Sequence, residues 1–261
     1  MSKKILICAD SFGVTDPNYF GVHFSEKIKK IIPDCEIINF SRGGSSNSLI
    51  ELQVHQGLIY NPDYVIVLFT DLWRTDYILS DSNFFNNLSK EKMPELRARY
   101  KDTEYSQVLD FNNQTYMTTA HYFPLTAKIP ASDTVHSMKA NYENSLKFQS
   151  HDLNCLRQYF IVLSILNLLK NKNIPMCFSL GGLDYVQERD KGTDSTYQQL
   201  VNTILPRHFM RNEIAEYMDK SIELNLWSQA QRGNDGPLFH TEDEIMQETF
   251  ANECINKLGL L

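Results

Sequence analysis

The sequence is poor in the features that would staple a fold or announce one chemistry. Cysteine is scarce and odd in number: Cys8, Cys35, Cys155, Cys177 and Cys254 are the only five, and no Cys-x-x-Cys pair occurs. The paired spacing of zinc sites is therefore missing, and reduced, buried thiols are expected, since several lie in apolar runs. Positive charge is in deficit, with 25 Lys and Arg against 32 Asp and Glu, a net charge of −7. General nucleic-acid binding needs a basic surface, so no nucleic-acid partner is expected. No uninterrupted apolar run reaches membrane-spanning length, so no membrane partner is expected either. The N-terminal run in MSKKILICADS is too short for a signal-peptide core, which points to a cytosol-like compartment. His-Glu-x-x-His, the Walker A loop and G-x-G-x-x-G are all absent. His23, His55, His121, His136, His151 and His208 show no ligand spacing. No metal and no organic cofactor are expected.

What is present is a strand–helix alternation. KILIC (4–8) is a short apolar run that suits a strand buried on both faces. Phe20, Phe24, Ile28 and Ile31 recur at helical spacing, and Pro33 stops that helix. EIINF (36–40) predicts a second strand. Ser48 and Glu51 suggest a capping box opening a helix to about Tyr60, and Asn61-Pro62-Asp63 a turn. YVIVLF (64–69) is the strongest strand signal. Beyond it, residues from about 79 to 140 are polar, aromatic-rich and irregular, too long for a simple loop, and read as an insertion. A long helix is predicted over about 142–172, with apolar positions at Leu153, Leu156, Phe160, Leu163, Leu166 and Leu169. PMCFSL (175–180) predicts a fourth strand. Helices are predicted over about 196–205, 211–220 and 241–258, the last capped by Thr241 with Glu244 completing the box.

The order βαβαβ with short connections favours a parallel sheet with helices on both faces. Functional loops then gather at the carboxyl ends of the strands. ADSFG, SRGGSSN and TDLWRTD leave that edge. Ser11, just past the first strand, meets one need of a serine nucleophile, a rigid support. It equally suits a turn or a helix N-cap. Gly43-Gly44 suits a flexible turn before a helix. Arg74 suits an ion pair with Asp71 or Asp76, or contact with an anionic substrate group. His240 and Asp235 stand close before the last helix, where either could be a plain polar or turn residue.

Ala9-Asp10-Ser11, Gly44 in SRGGSSN, Thr70-Asp71 after the third strand and Asp235…His240 before the last helix occur in one order. In that order and strand context they resemble the blocks of the SGNH (GDSL-type) esterases. Ala9 replaces the glycine of Gly-Asp-Ser. Thr70 stands where the third block has asparagine. Asp235 lies two residues further from the histidine than the family's Asp-x-x-His. The resemblance covers about residues 4–71 and 235–258.

It implies a single α/β domain over 1–261, a three-layer α/β/α parallel sheet of the flavodoxin-like, SGNH hydrolase type, with the insertion after the third strand. It also implies Ser11 as nucleophile, His240 as general base and Asp235 as the acid that orients His240. The backbone N–H groups of Ser11 and Gly44, with the Thr70 hydroxyl, would bind the oxyanion. The implied substrate is a short acyl ester, such as an acetyl group on a carbohydrate, in a pocket shaped by the insertion. The rival reading is a catalytically impaired relative serving as a binding or structural module in a larger assembly such as a virus particle. The altered third block and the stretched Asp…His spacing motivate it.

Overall fold

Four short strands alternate their side chains between two separate cores. In the computed structural model the described residues are 2–15, 21–42, 45–70, 74, 76–79, 109–111, 114–118, 151–180, 216–222 and 244–261. The strands of the main sheet are β1 (Lys4–Cys8), β2 (Glu36–Asn39), β3 (Tyr64–Leu68) and β7 (Met176–Ser179). They lie in the order β2-β1-β3-β7, and all pairs are parallel. Ser221 bridges Phe178 in parallel and continues that order by one residue.

The helices are α1 (Phe24–Ile31), α2 (Asn47–Gly57), α3 (His151–Asn171) and α4 (Glu244–Leu258). Ile5 and Ile7 of β1, with Ile66 and Leu68 of β3, face one core, which also holds Phe24, Ile28, Phe250 and Cys254 of α1 and α4. Leu6 and Cys8, with Val65 and Val67, face the opposite core, which holds Ile50, Val54, Val162 and Ile165 of α2 and α3. The period-2 alternation of a strand thus supplies both layers. The result is the expected three-layer α/β arrangement. Each fully buried aliphatic or aromatic side chain contributes ~1.5–3 kcal/mol. Phe24 and Phe250 meet edge-on with centroids 5.0 Å apart, which ties α1 to α4. Among the described residues no helix is long and apolar enough to cross a membrane.

Several local expectations shift. α2 is capped by Ser46, whose side chain accepts from the Leu49 amide, and not by Ser48. The helix ends at Gly57 in a tighter turn over Leu58–Tyr60, and Asn61 closes it at φ 52°. Gly57 sits where α2 crosses β1 closely: a Cβ there would lie 2.4 Å from a Leu6 methyl. α3 buries Val162 and Ile165 beside Leu163, Leu166 and Leu169, while Phe160 is 52% exposed. Ile31 likewise faces out, while Phe24 and Ile28 of its stripe are buried. Met218–Lys220 forms a tight single turn, not the end of an α-helix. The expected helix over 196–205 and the Thr241 cap lie outside the described residues. The insertion contributes a second sheet, β4 (Asp76–Leu79), β5 (Leu109–Phe111) and β6 (Gln114–Thr118), antiparallel in the order β4-β6-β5. This structured segment starts at Asp76, before the expected boundary near 79.

Cys8, Cys35, Cys177 and Cys254 are buried free thiols. Burial pushes the Cys8 and Cys254 thiols well above their ordinary value.

Candidate active site

The chain leaves β1 as a single tight turn, Ser11–Gly13, and the groups around it grip its backbone. The Asp10 carboxylate accepts from the Phe12 amide at 3.0 Å. Gly13 N–H donates to the Asp10 carbonyl and Val14 N–H to the Ser11 carbonyl. The Asn39 amide donates to the Gly13 carbonyl at 2.7 Å. His23 donates from behind to the Phe12 carbonyl at 3.0 Å. Gly13 is the one residue type that fits its place. A Cβ would lie 2.2 Å from Ser41 Oγ and 2.5 Å from the Ala9 Cβ, so the turn can rest directly on the end of β2. Ser11 itself is 7% exposed.

Asp10 joins the three loops at this edge. Its Oδ2 accepts from the Thr70 hydroxyl at 2.7 Å and from Arg74 Nη1 at 3.0 Å. Arg74 Nη1 also donates to the Ser45 carbonyl at 3.0 Å. One carboxylate and one guanidinium therefore pin the loops after β1, β2 and β3 together. Burial pushes the Asp10 carboxyl up from its ordinary value, while Arg74, the Phe12 amide and the Thr70 hydroxyl pull it down. All three of these neighbours donate, which suits the ionised, acceptor-only form.

Behind this layer lie three buried amides. Gln53 of α2 accepts from the Ala9 amide at 2.9 Å and donates to the Ala9 carbonyl at 3.1 Å and to Ser45 Oγ at 3.0 Å. Asn47 accepts from the Thr70 amide at 2.8 Å and donates to the Thr70 carbonyl at 3.0 Å and to Gln158 of α3 at 2.8 Å. Gln53 and Asn47 replace backbone pairing that the strands lose as they end, which low-dielectric burial makes costly to omit, and Gln158 supports Asn47. Ser41 Oγ is the exception: it is buried and finds no partner among the described residues.

A second line of contacts runs from the turn to the last helix. His23 Nδ1 accepts from the Ser25 amide at 3.2 Å, so His23 caps α1, with Glu26 completing the box. Burial lowers the His23 pKa to about 4, so the ring is neutral at pH 7. Next to it, the Phe24 amide donates to Gln247 of α4 at 2.9 Å. Lys27 pairs with Glu244, at the first turn of α4.

The structure brings Ser11 and Thr70 to one sheet edge, as expected. Gly44, Asp235 and His240 lie outside the described residues. Two of the residues singled out in the sequence make contacts with Asp10. Thr70 gives its single O–H proton to Asp10, so that proton is not aimed at an oxyanion in this arrangement. Arg74 pairs with buried Asp10, a partner the sequence did not suggest. Asn39, Asn47, Gln53 and Gln158 carried no site signal in the sequence, and His23 stood out only as a histidine without ligand spacing. The available signal was a polar residue on a buried helix stripe, such as Gln53 among Leu49, Ile50, Val54 and Gly57.

Among the described residues no group of three or more His, Cys, Asp or Glu side chains is placed to hold a metal ion. In comparisons with known proteins, the sequence matches no family model and no curated protein.

Proposed function

We propose that the chain is a serine ester hydrolase of the SGNH type, acting on a short acyl ester such as an acetylated carbohydrate. The observation that carries the reading is the docking of α4 beside the Ser11 turn. Gln247 is bonded to Phe24, and the neighbouring His23 is bonded to Phe12 in that turn. His240 stands four residues before Glu244, the first residue of α4. Four residues span at most ~14 Å, and that bound on the distance from Glu244 to His240 supports the reading.

In this reading Ser11 Oγ attacks the acyl carbonyl and His240 takes its proton. His240 then returns the proton to the departing alcohol, and Asp235 orients the imidazole. Water, activated by His240, releases the acyl group from Ser11. The backbone N–H groups of Ser11 and Gly44 stabilise the oxyanion. Thr70 acts through Asp10, holding the third loop against the first, and not as an oxyanion donor. The reading needs no metal or organic cofactor.

One observation favours the rival, a non-catalytic binding or structural module in a larger assembly. The Thr70 proton is spent on Asp10, and loss of one oxyanion donor lowers turnover by ~10²–10³ in a known serine hydrolase. Turnover of p-nitrophenyl acetate separates the two. The hydrolase reading expects activity that Ser11→Ala and His240→Ala each abolish. Activity equal in all three proteins, or absent from all, supports the module.

A further inference from the structure

We propose that His23 is a positioning residue for Ser11: its Nε2–H holds the Phe12 carbonyl and so fixes the turn that carries the nucleophile. This rests on the reading of Ser11 as nucleophile. The tautomer follows from the contacts. The Ser25 amide can only donate, and it donates to His23 Nδ1, so Nδ1 carries the lone pair. The proton therefore sits on Nε2, where its acceptor is the Phe12 carbonyl at 3.0 Å. Ser25 Oγ, 2.7 Å from Nδ1, donates to it as well and reinforces that tautomer.

His23 is 1% exposed and its ring packs on Phe24 at 4.3 Å between centroids. The ring is thus locked by packing and by bonds on both nitrogens. Phe12 directly follows Ser11, and its amide is held from the other side by Asp10. Asp10 and His23 therefore clamp the two polar ends of one residue and hold the backbone that carries Ser11. A serine nucleophile needs that constraint, because a misplacement of about 1 Å costs ~10²-fold in rate. Nothing in helix capping requires the second bond: Ser, Asp or Asn would cap α1 as well as His23 does, without reaching Phe12.

The two roles of His23 can be separated by substitution. His23→Asn keeps an acceptor for the cap but is too short to hold Phe12. His23→Gln can place an N–H where Nε2 stood but gives a poorer cap. The test is the concentration dependence of Ser11 labelling by an alkyl fluorophosphonate, with Tm recorded for each variant. The maximal labelling rate of His23→Asn should fall ~10–100-fold while the half-saturating concentration holds, and His23→Gln should recover most of the rate. Tm should run the other way, higher for Asn than for Gln. Labelling rates that follow Tm, or an unchanged rate in His23→Asn, overturn the positioning role. If His23→Asn does not fold, His23→Ser takes its place: it keeps an oxygen for the cap, cannot reach Phe12, and should slow labelling as His23→Asn would. An unchanged rate there overturns the proposal. A wild-type protein that does not label at Ser11 is a different result, since it removes the nucleophile reading itself.

Discussion

The Asp10 carboxylate and the Arg74 guanidinium meet at 3.0 Å, with the Asp10 side chain 1% and the Arg74 side chain 14% exposed. They stand 64 residues apart in sequence. Removing one partner of a buried pair strands the other charge. Arg74→Met should therefore cost ~3–5 kcal/mol. Adding Asp10→Asn to that variant should recover part of the loss, because no carboxylate is then left uncompensated. Urea denaturation of the two single variants and the double variant checks this. Additive losses would show that the pair is not energetically coupled.

Gly13 and Ser41 make a second testable contact. Gly13→Ala should cost ~1–3 kcal/mol through overpacking. Ser41→Ala should be neutral or stabilising, since its buried hydroxyl has no partner among the described residues. The double variant should regain part of the Gly13→Ala loss, because the atom nearest the new methyl is Ser41 Oγ at 2.2 Å. Thermal melts of the three variants report the order.

Acid should weaken the fold through His23. The folded ring takes its proton at about 4 and the unfolded ring near 6.5. Between those values the unfolded chain binds more protons. This contribution to stability is therefore fully present above the window, is lost as pH falls through it, and levels off below. The loss amounts to about 3 kcal/mol. Urea midpoints measured across the window should fall in wild type and flatten in His23→Asn. A wild-type profile as flat as the variant's would show that His23 titrates normally.

Much of the frame is legible because it depends on local pattern. KILIC and YVIVLF are short, continuous and apolar, and both become strands buried on two faces. Ser11 could be placed at the sheet edge for the same reason. The side chains that organise the edge were not legible, since their partners are remote: Thr70 is 60 residues from Asp10, and Gln158 is 111 residues from Asn47. Arg74 looks like an ordinary surface cation until the fold brings Asp10 beneath it. The Ser48–Glu51 pattern misplaced the α2 cap because Ser46 and Ser48 both suit an N-cap, and Asn47 is drawn inward by Thr70. Phe160 misled because α3 carries apolar residues on more than one face.

Gln53 offers a direct check on the buried amides. Gln53→Met keeps the side-chain volume but leaves the Ala9 amide without its partner. A loss of ~1–3 kcal/mol is expected. Hydrogen exchange at the Ala9 amide should accelerate far more than at the Leu6 amide in mid-strand. Equal acceleration at both would point to general loosening instead.

The central claim is that Ser11 is an activated nucleophile. Its most direct measurement is fluorophosphonate treatment of the native protein, with the adduct mapped by mass spectrometry. The account predicts one adduct, on Ser11, absent from Ser11→Ala and strongly slowed in His240→Ala. An unlabelled Ser11 in a folded protein, or labelling indifferent to His240, would contradict it.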